Sequence, residues 1–190
     1  FRFYGRRTVL LAIFIIQVFP NLLAMVAFYL MLLQLGKYIP FVDINTYGGL
    51  ILIYMGGGMA INIWMMKGFF DTIPTAIDES ARVDGAAHWQ TFLYLIFPLI
   101  RPILAVIGLL SFVGTFNDFM LARIILGLGG ERENLTLMVG MYKFVEDGTF
   151  STDWGVFAAG SLIAAVPIVA LYISLQRFIV GGLTVGAVKG

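Results

Sequence analysis

Residues 99–126 read LIRPILAVIGLLSFVGTFNDFMLARIIL. Between Pro102 and Asp118 no charged side chain occurs. A helix needs about 20 mostly apolar residues to cross the hydrocarbon core of a bilayer. This stretch supplies them, and it lacks the period-two alternation of a barrel strand. It therefore predicts a membrane-spanning helix, about Leu99–Leu126. Three other stretches pass the same test: about Thr8–Leu35, Tyr47–Met66 and Gly155–Leu175.

Composition supports the reading. Hydrophobic residues make up 60% of the 190 and charged residues 12%, about half the share usual in soluble domains. The mean hydropathy is +0.94. A soluble fold of this length has too little interior to hide so much apolar side chain. The net charge is +1 and the basic residues are scattered rather than striped, so no nucleic-acid partner is expected. Without Cys there are no disulfides, iron–sulfur clusters or thiolate metal sites, and the redox compartment stays undetermined. The single His88 cannot build a histidine-based metal centre.

Orientation follows from Lys and Arg in the connections. Arg2, Arg6 and Arg7 precede span one. Lys67, Arg82 and Arg101 lie between spans two and three, and Arg177 and Lys189 follow span four. The connection 127–154 carries Glu131, Glu133, Glu146, Asp147 and Asp153 beside Arg132 and Lys143. Both termini and the middle connection are thus expected in the cytoplasm, and the acidic connection outside. Phe1, with Arg2, Arg6 and Arg7 directly before an apolar run, leads us to expect further sequence upstream. Pro20 and Pro167 predict kinks in spans one and four. Gly56, Gly57 and Gly58 read either as close helix packing or as a hinge beside a pathway.

The middle segment, 69–98, is polar yet patterned. Thr72 or Asp71 is placed to cap a helix, with Pro74 in its first turn. Asp78 and Glu79 sit near its positive end and can pair with Arg82. Ile73, Ile77 and Ala81 form an apolar stripe, and Gly85 is suited to end the helix in a left-handed conformation. A helical pattern resumes over Ala86–Ile96, and Pro98 and Pro102 mark a turn into span three. The residues alone leave two options: a structured element or a plain connection.

Glu79-Ser80-Ala81, Gly85, then Leu95, Phe97 and Pro98 resemble the EAA loop of ABC-importer permeases, with matching spacing throughout. Ser80, Leu95 and Phe97 depart mildly from the usual residues. Asp84-Gly85-Ala86 and the ending Gly182–Gly190 look like the second permease subunit of maltose/maltodextrin importers, and the similarity runs over nearly the whole chain.

The resemblance implies an all-α, polytopic transmembrane bundle of the type I ABC-importer permease kind. Four of the six family spans are present, and two N-terminal spans are expected upstream. It implies a non-enzymatic transport subunit in a cytoplasmic (plasma) membrane, moving maltose/maltodextrin-type oligosaccharides. The partners implied are a second permease subunit, a dimer of ATPase subunits, an external sugar-binding protein and lipid. No cofactor is expected in this chain, and ATP and Mg belong to the ATPase. The loop residues Glu79, Ser80, Ala81, Asp84, Gly85, Leu95, Phe97 and Pro98 would dock in a cleft of that ATPase. Val145, Glu146, Asp147, Gly148, Thr149 and Phe150 hold the place of a loop that probes the binding protein, and the tail 184–190 would reach the ATPase. The chain itself has no G-x-x-x-x-G-K-[ST] loop, so hydrolysis must come from a partner.

Asn117 and Asp118 stand inside span three, with Arg123 shortly after. A charge at mid-bilayer costs about 2.5–3.5 kcal/mol on insertion scales, so such groups face protein or water. Either they line the translocation path or its gate, or they form an internal Asp118–Arg123 or interhelix pair. Asn62 and Gln17 are weaker candidates of the same kind. The rival reading is an ATP-independent secondary transporter or channel using Asp118 and Arg123 as a relay. An intramembrane enzyme is disfavoured, because paired intramembrane carboxylates are missing.

Overall fold

In a computed structural model, residues 4–18, 21–127, 135–146 and 154–187 are described. Every regular element among them is helical: α1 (Arg6–Val18), α2 (Asn21–Leu35), α3 (Tyr47–Gly57), α4 (Met59–Phe70), α5 (Thr75–Val83), α6 (His88–Gln90), α7 (Phe97–Phe116), α8 (Met120–Gly127), α9 (Leu137–Glu146) and α10 (Trp154–Ala187). A 3-10 turn (Pro40–Val42) follows α2, and a π turn (Thr91–Ile96) joins α6 to α7.

Three helical runs are long and apolar enough to cross a membrane: Tyr47–Phe70, His88–Phe116 and Trp154–Ile179. They match the second, third and fourth expected spans, with shifted ends. The expected first span is two helices, α1 and α2, which reach spanning length only together.

The third span differs from expectation in two ways. It does not run unbroken to Leu126, because α7 ends at Phe116 and α8 starts at Met120. Its start also has no turn at Pro98 or Pro102, since the helix is continuous from His88 to Phe116. A proline lacks the N–H that would pair four residues back. The π turn eases the fault by shifting the pairing, with the Phe97 N–H donated to the Phe92 carbonyl. Pro102 lies inside α7.

The chain divides into two compact units, Phe1–Ile61 with Gly114–Val166, and Asn62–Val113 with Pro167–Gly190. In the first, Leu32, Leu50, Ile53, Ala122, Ile125, Leu126 and Val139 form a buried core from α2, α3, α8 and α9. Phe28, Tyr54 and Phe119 pack around it. The loop before α3 is drawn tight. Thr46 caps α3 by accepting from the Gly49 N–H at 3.1 Å, and its hydroxyl donates to the Asp43 carbonyl at 2.6 Å. A Cβ on Gly48 would collide with the Phe41 carbonyl oxygen, and one on Gly49 with that of Asp43. The Asn45 N–H then donates to the Ile125 carbonyl of α8 at 2.9 Å.

Among the described residues, a Cβ on Gly56 or Gly57 would meet nothing within 4 Å, so these two glycines do not mark a close packing face there. In the second unit, α5 packs on the π turn. Ala81, Thr91, Ile96 and Ile100 are buried there. Asn62 and Ser111 join α4 to α7: the amide donates to the hydroxyl at 3.0 Å, and the hydroxyl to the amide oxygen at 3.3 Å. A mutually satisfied polar pair is what a lipid-embedded interface tolerates. Large apolar side chains such as Leu162, Ile163, Val166 and Ile173 on α10 are exposed, as a lipid-facing helix requires.

Candidate functional site

The segment 69–98 folds as a helical hairpin. Neither expected cap starts α5. The Thr72 hydroxyl donates back to the Phe69 carbonyl at 2.7 Å, and Asp71 pairs with Lys67 one turn earlier. Both side chains thus finish α4, and α5 opens behind extended Pro74 at φ −62°, ψ 133°. Asp78, at the first turn, suits the positive end of the helix dipole. The expected pairing with Arg82 is not formed: among the described residues neither Asp78 nor Glu79 makes an ion pair with it. All three are exposed, where such pairs are worth only tenths of a kcal/mol against side-chain entropy.

The end of α5 is a Schellman motif. Gly85 has φ +76°. Its N–H donates to the Arg82 carbonyl at 3.1 Å, and the Ala86 N–H reaches the Ala81 carbonyl at 2.9 Å. A Cβ at Gly85 would meet nothing within 4 Å, so glycine is required there by backbone conformation, not by space. The returning helix starts at once: the Gln90 carboxamide oxygen accepts from the Ala87 N–H at 2.8 Å. From His88 the chain runs without interruption into the span.

Of the eight residues singled out in this segment, Ala81 points inward at 3% exposure, onto the π-turn side of the hairpin. Its small size lets α5 lie close to the returning strand of chain. Glu79, Ser80, Asp84, Gly85, Leu95, Phe97 and Pro98 are exposed. The Ser80 hydroxyl turns back to the Ala76 carbonyl at 2.8 Å. Val83, which the sequence reading passed over, is 88% exposed at the hairpin tip. An apolar side chain so open beside Glu79 and Asp84 makes the tip a mixed acidic and apolar surface.

The second cluster lies at the break in the third span. Asp118 is half-buried, and its Oδ2 accepts from the Tyr54 hydroxyl of α3 at 2.7 Å and from the Ala122 N–H at 3.2 Å. The carboxylate therefore closes the start of α8, where backbone N–H groups have no helical partner. Arg123 is not its partner: the guanidinium lies over the rings of Tyr142 at 4.7 Å and Phe119 at 5.6 Å. Those rings themselves stand 4.6 Å apart. Asn117 is exposed beside the break. Tyr54 escaped sequence reading because its hydroxyl sits in an apolar run with nothing local to flag it.

Val145 is exposed near the end of α9, and Glu146 is that helix's last residue. Asp147, Gly148, Thr149 and Phe150 lie outside the described residues, as do Val188–Gly190 of the tail. Among the described residues, no group of three His, Asp or Glu is placed to hold a metal ion.

Residues 1–183 match the family described as binding-protein-dependent transport system inner membrane component. The chain belongs to this family. It is 43% identical over 189 residues to the maltose/maltodextrin transport system permease protein MalG of Vibrio vulnificus, covering 100% of this chain and 62% of the relative. The proteins of that name from Salmonella typhimurium and Escherichia coli are each 41% identical over 189 residues, with the same coverage. The chain thus spans 62% of the length of these relatives. The all-helical, multi-pass architecture expected from the apolar runs agrees with membership of an inner-membrane family.

Proposed function

We propose that this chain belongs to the membrane-spanning subunit of an ATP-driven importer for maltose/maltodextrin-type oligosaccharides. The hairpin 69–98 would couple it to a separate ATPase in the cytoplasm. The carrying observation is mechanical. A Schellman-locked hairpin with an exposed acidic and apolar tip passes into a span with no loose joint between them. The names of the relatives support the sugar class.

In this reading Glu79, Ser80, Val83, Asp84 and Gly85 meet the ATPase, and Ala81 acts by holding the hairpin closed. Leu95, Phe97 and Pro98 tie the hairpin to the span. ATP and Mg are bound by the ATPase dimer. A second permease subunit completes the pathway, an external binding protein delivers the sugar, and the C-terminus is cytoplasmic. Val145–Phe150 would face the binding protein, and Asn117 with Asp118 would sit at the path or its gate. The relay alternative needs Asp118 and Arg123 to act together, and their separate partners weigh against it.

The test is a disulfide cross-link. Ser80→Cys is exposed and suited to it, whereas Ala81 is turned inward. Paired with a cysteine in the ATPase cleft of the assembled complex, it should cross-link with a yield that changes on adding nucleotide. An assembled complex that gives no cross-link would sink the coupling role.

A further inference from the structure

Asp118 carries the observation that reaches furthest. Both of its hydrogen bonds converge on one oxygen, Oδ2, from Tyr54 on α3 and from Ala122 in the first turn of α8. The other oxygen, Oδ1, has no partner among the described residues, and none of their side-chain oxygens is both sealed and unpartnered. Oδ1 is therefore not sealed off within the described residues, and its neighbour in sequence, Asn117, is exposed.

The level of the break can be placed. Asn45, in the loop before α3, pairs with Ile125, and Tyr54 lies seven residues into α3 from Tyr47, roughly 10 Å at 1.5 Å per residue. Tyr54 thus stands about a third of the way along a helical run long enough to cross a bilayer. A helix break at such depth persists only against protein or a wetted cavity. On the other side of Tyr54, α3 gives way to the turn at Gly58, whose N–H reaches the Tyr54 carbonyl at 3.2 Å. That bond is a regular helical one, so the second span carries on past Tyr54 while the third breaks beside it.

We propose that Tyr54 is a positioning residue for transport, acting through Asp118. Its hydroxyl and the Ala122 N–H share one carboxylate oxygen, so the second span sets the direction in which α8 leaves the break. The clasp favours the arrangement seen here. Its release lets α8 swing and opens the break at Asn117. One hydrogen bond to a charged acceptor is enough to bias the two arrangements by about tenfold or more. The inference rests on the importer reading for its role in transport, but the clasp itself can be tested apart from it.

The experiment uses the assembled complex in liposomes, with Asn117→Cys in a background free of other reactive thiols. Tyr54→Phe removes only the hydroxyl. It should raise the labelling rate of Cys at 117 by a water-soluble maleimide about tenfold, and lower the sugar moved per ATP hydrolysed. A merely structural role would lower the yield of complex without moving that ratio. Asp118→Leu should match Tyr54→Phe, and the double variant should be no worse than Asp118→Leu. Unchanged labelling and an unchanged ratio in an intact Tyr54→Phe complex overturn the proposal. If Tyr54→Phe fails to assemble, Asp118→Asn decides. It keeps an acceptor but weakens the clasp, so a smaller rise in labelling supports the proposal and no rise overturns it. Changed labelling in a complex that shows no ATP-dependent uptake would retain the clasp and remove the importer reading.

Discussion

Replacing Gly85 with alanine isolates one physical quantity. At φ +76° an L-residue suffers a clash between Cβ and its own backbone, costing about 1–2 kcal/mol. Nothing else opposes the change, since a Cβ there would meet nothing within 4 Å. The cost falls on the folded hairpin alone, so the population with the Schellman bonds intact should drop about 5- to 30-fold relative to frayed forms. If the intact hairpin is what the ATPase grips, the apparent dissociation constant for that subunit should rise as the intact fraction falls, by up to the same factor once frayed forms predominate. Titrating purified ATPase against the permease pair in nanodiscs measures it. Gly85→Asn should recover some of the loss, because asparagine visits left-handed backbone more readily. Amide exchange at Ala86 no faster in Gly85→Ala than in the parent, or asparagine as poor as alanine, would refute the conformational argument.

Thiol reactivity should separate neighbouring positions in the hairpin: Val83→Cys should react with a soluble maleimide at least about tenfold faster than Ala81→Cys, given 88% against 3% exposure. Comparable rates would mean that α5 does not lie on the π turn. Gly48→Ala should lower stability by about 1–3 kcal/mol through its collision with the Phe41 carbonyl, while Gly56→Ala should leave the thermal midpoint unchanged or raised. Equal midpoints for the two variants would count against the tight loop before α3. A double-mutant cycle on Asn62→Ala and Ser111→Ala should return a coupling of about 0.6 kcal/mol in detergent unfolding, the usual weight of an interhelical bond in a bilayer protein. A coupling near zero would show that the pair is not formed in the membrane.

What the sequence made legible were features set by composition or by short spacing. Apolar length located the spans, because transfer into lipid depends on summed side-chain hydrophobicity. Gly85 was legible because a left-handed helix end is a local requirement. The break at residues 117–119 was not, because apolar residues continue on both sides of it. What stabilises it is Tyr54, 64 residues away. The prolines misled in the same manner: Pro98 and Pro102 read as a turn, yet both lie within one helical run, Pro98 just after the π turn and Pro102 inside α7. The tight cap at Thr46, with Gly48 and Gly49 behind it, went unread although a cap residue before paired glycines is a visible signal. Exposed charges at Asp78, Glu79 and Arg82 had ideal spacing for pairs and made none, since in water a pair at that spacing seldom repays the side-chain entropy it costs.

The continuity of His88–Phe116 sets a mechanical scale. Twenty-nine residues at 1.5 Å each make a helical path about 43 Å long. Were that run to move as one body despite its π turn and Pro102, a tilt of about 10° applied at the hairpin would move the far end by about 7 Å. That sweep is wider than two water molecules side by side. A modest closing movement at one surface of the membrane would thus arrive at the opposite end as a displacement large enough to separate neighbouring helices.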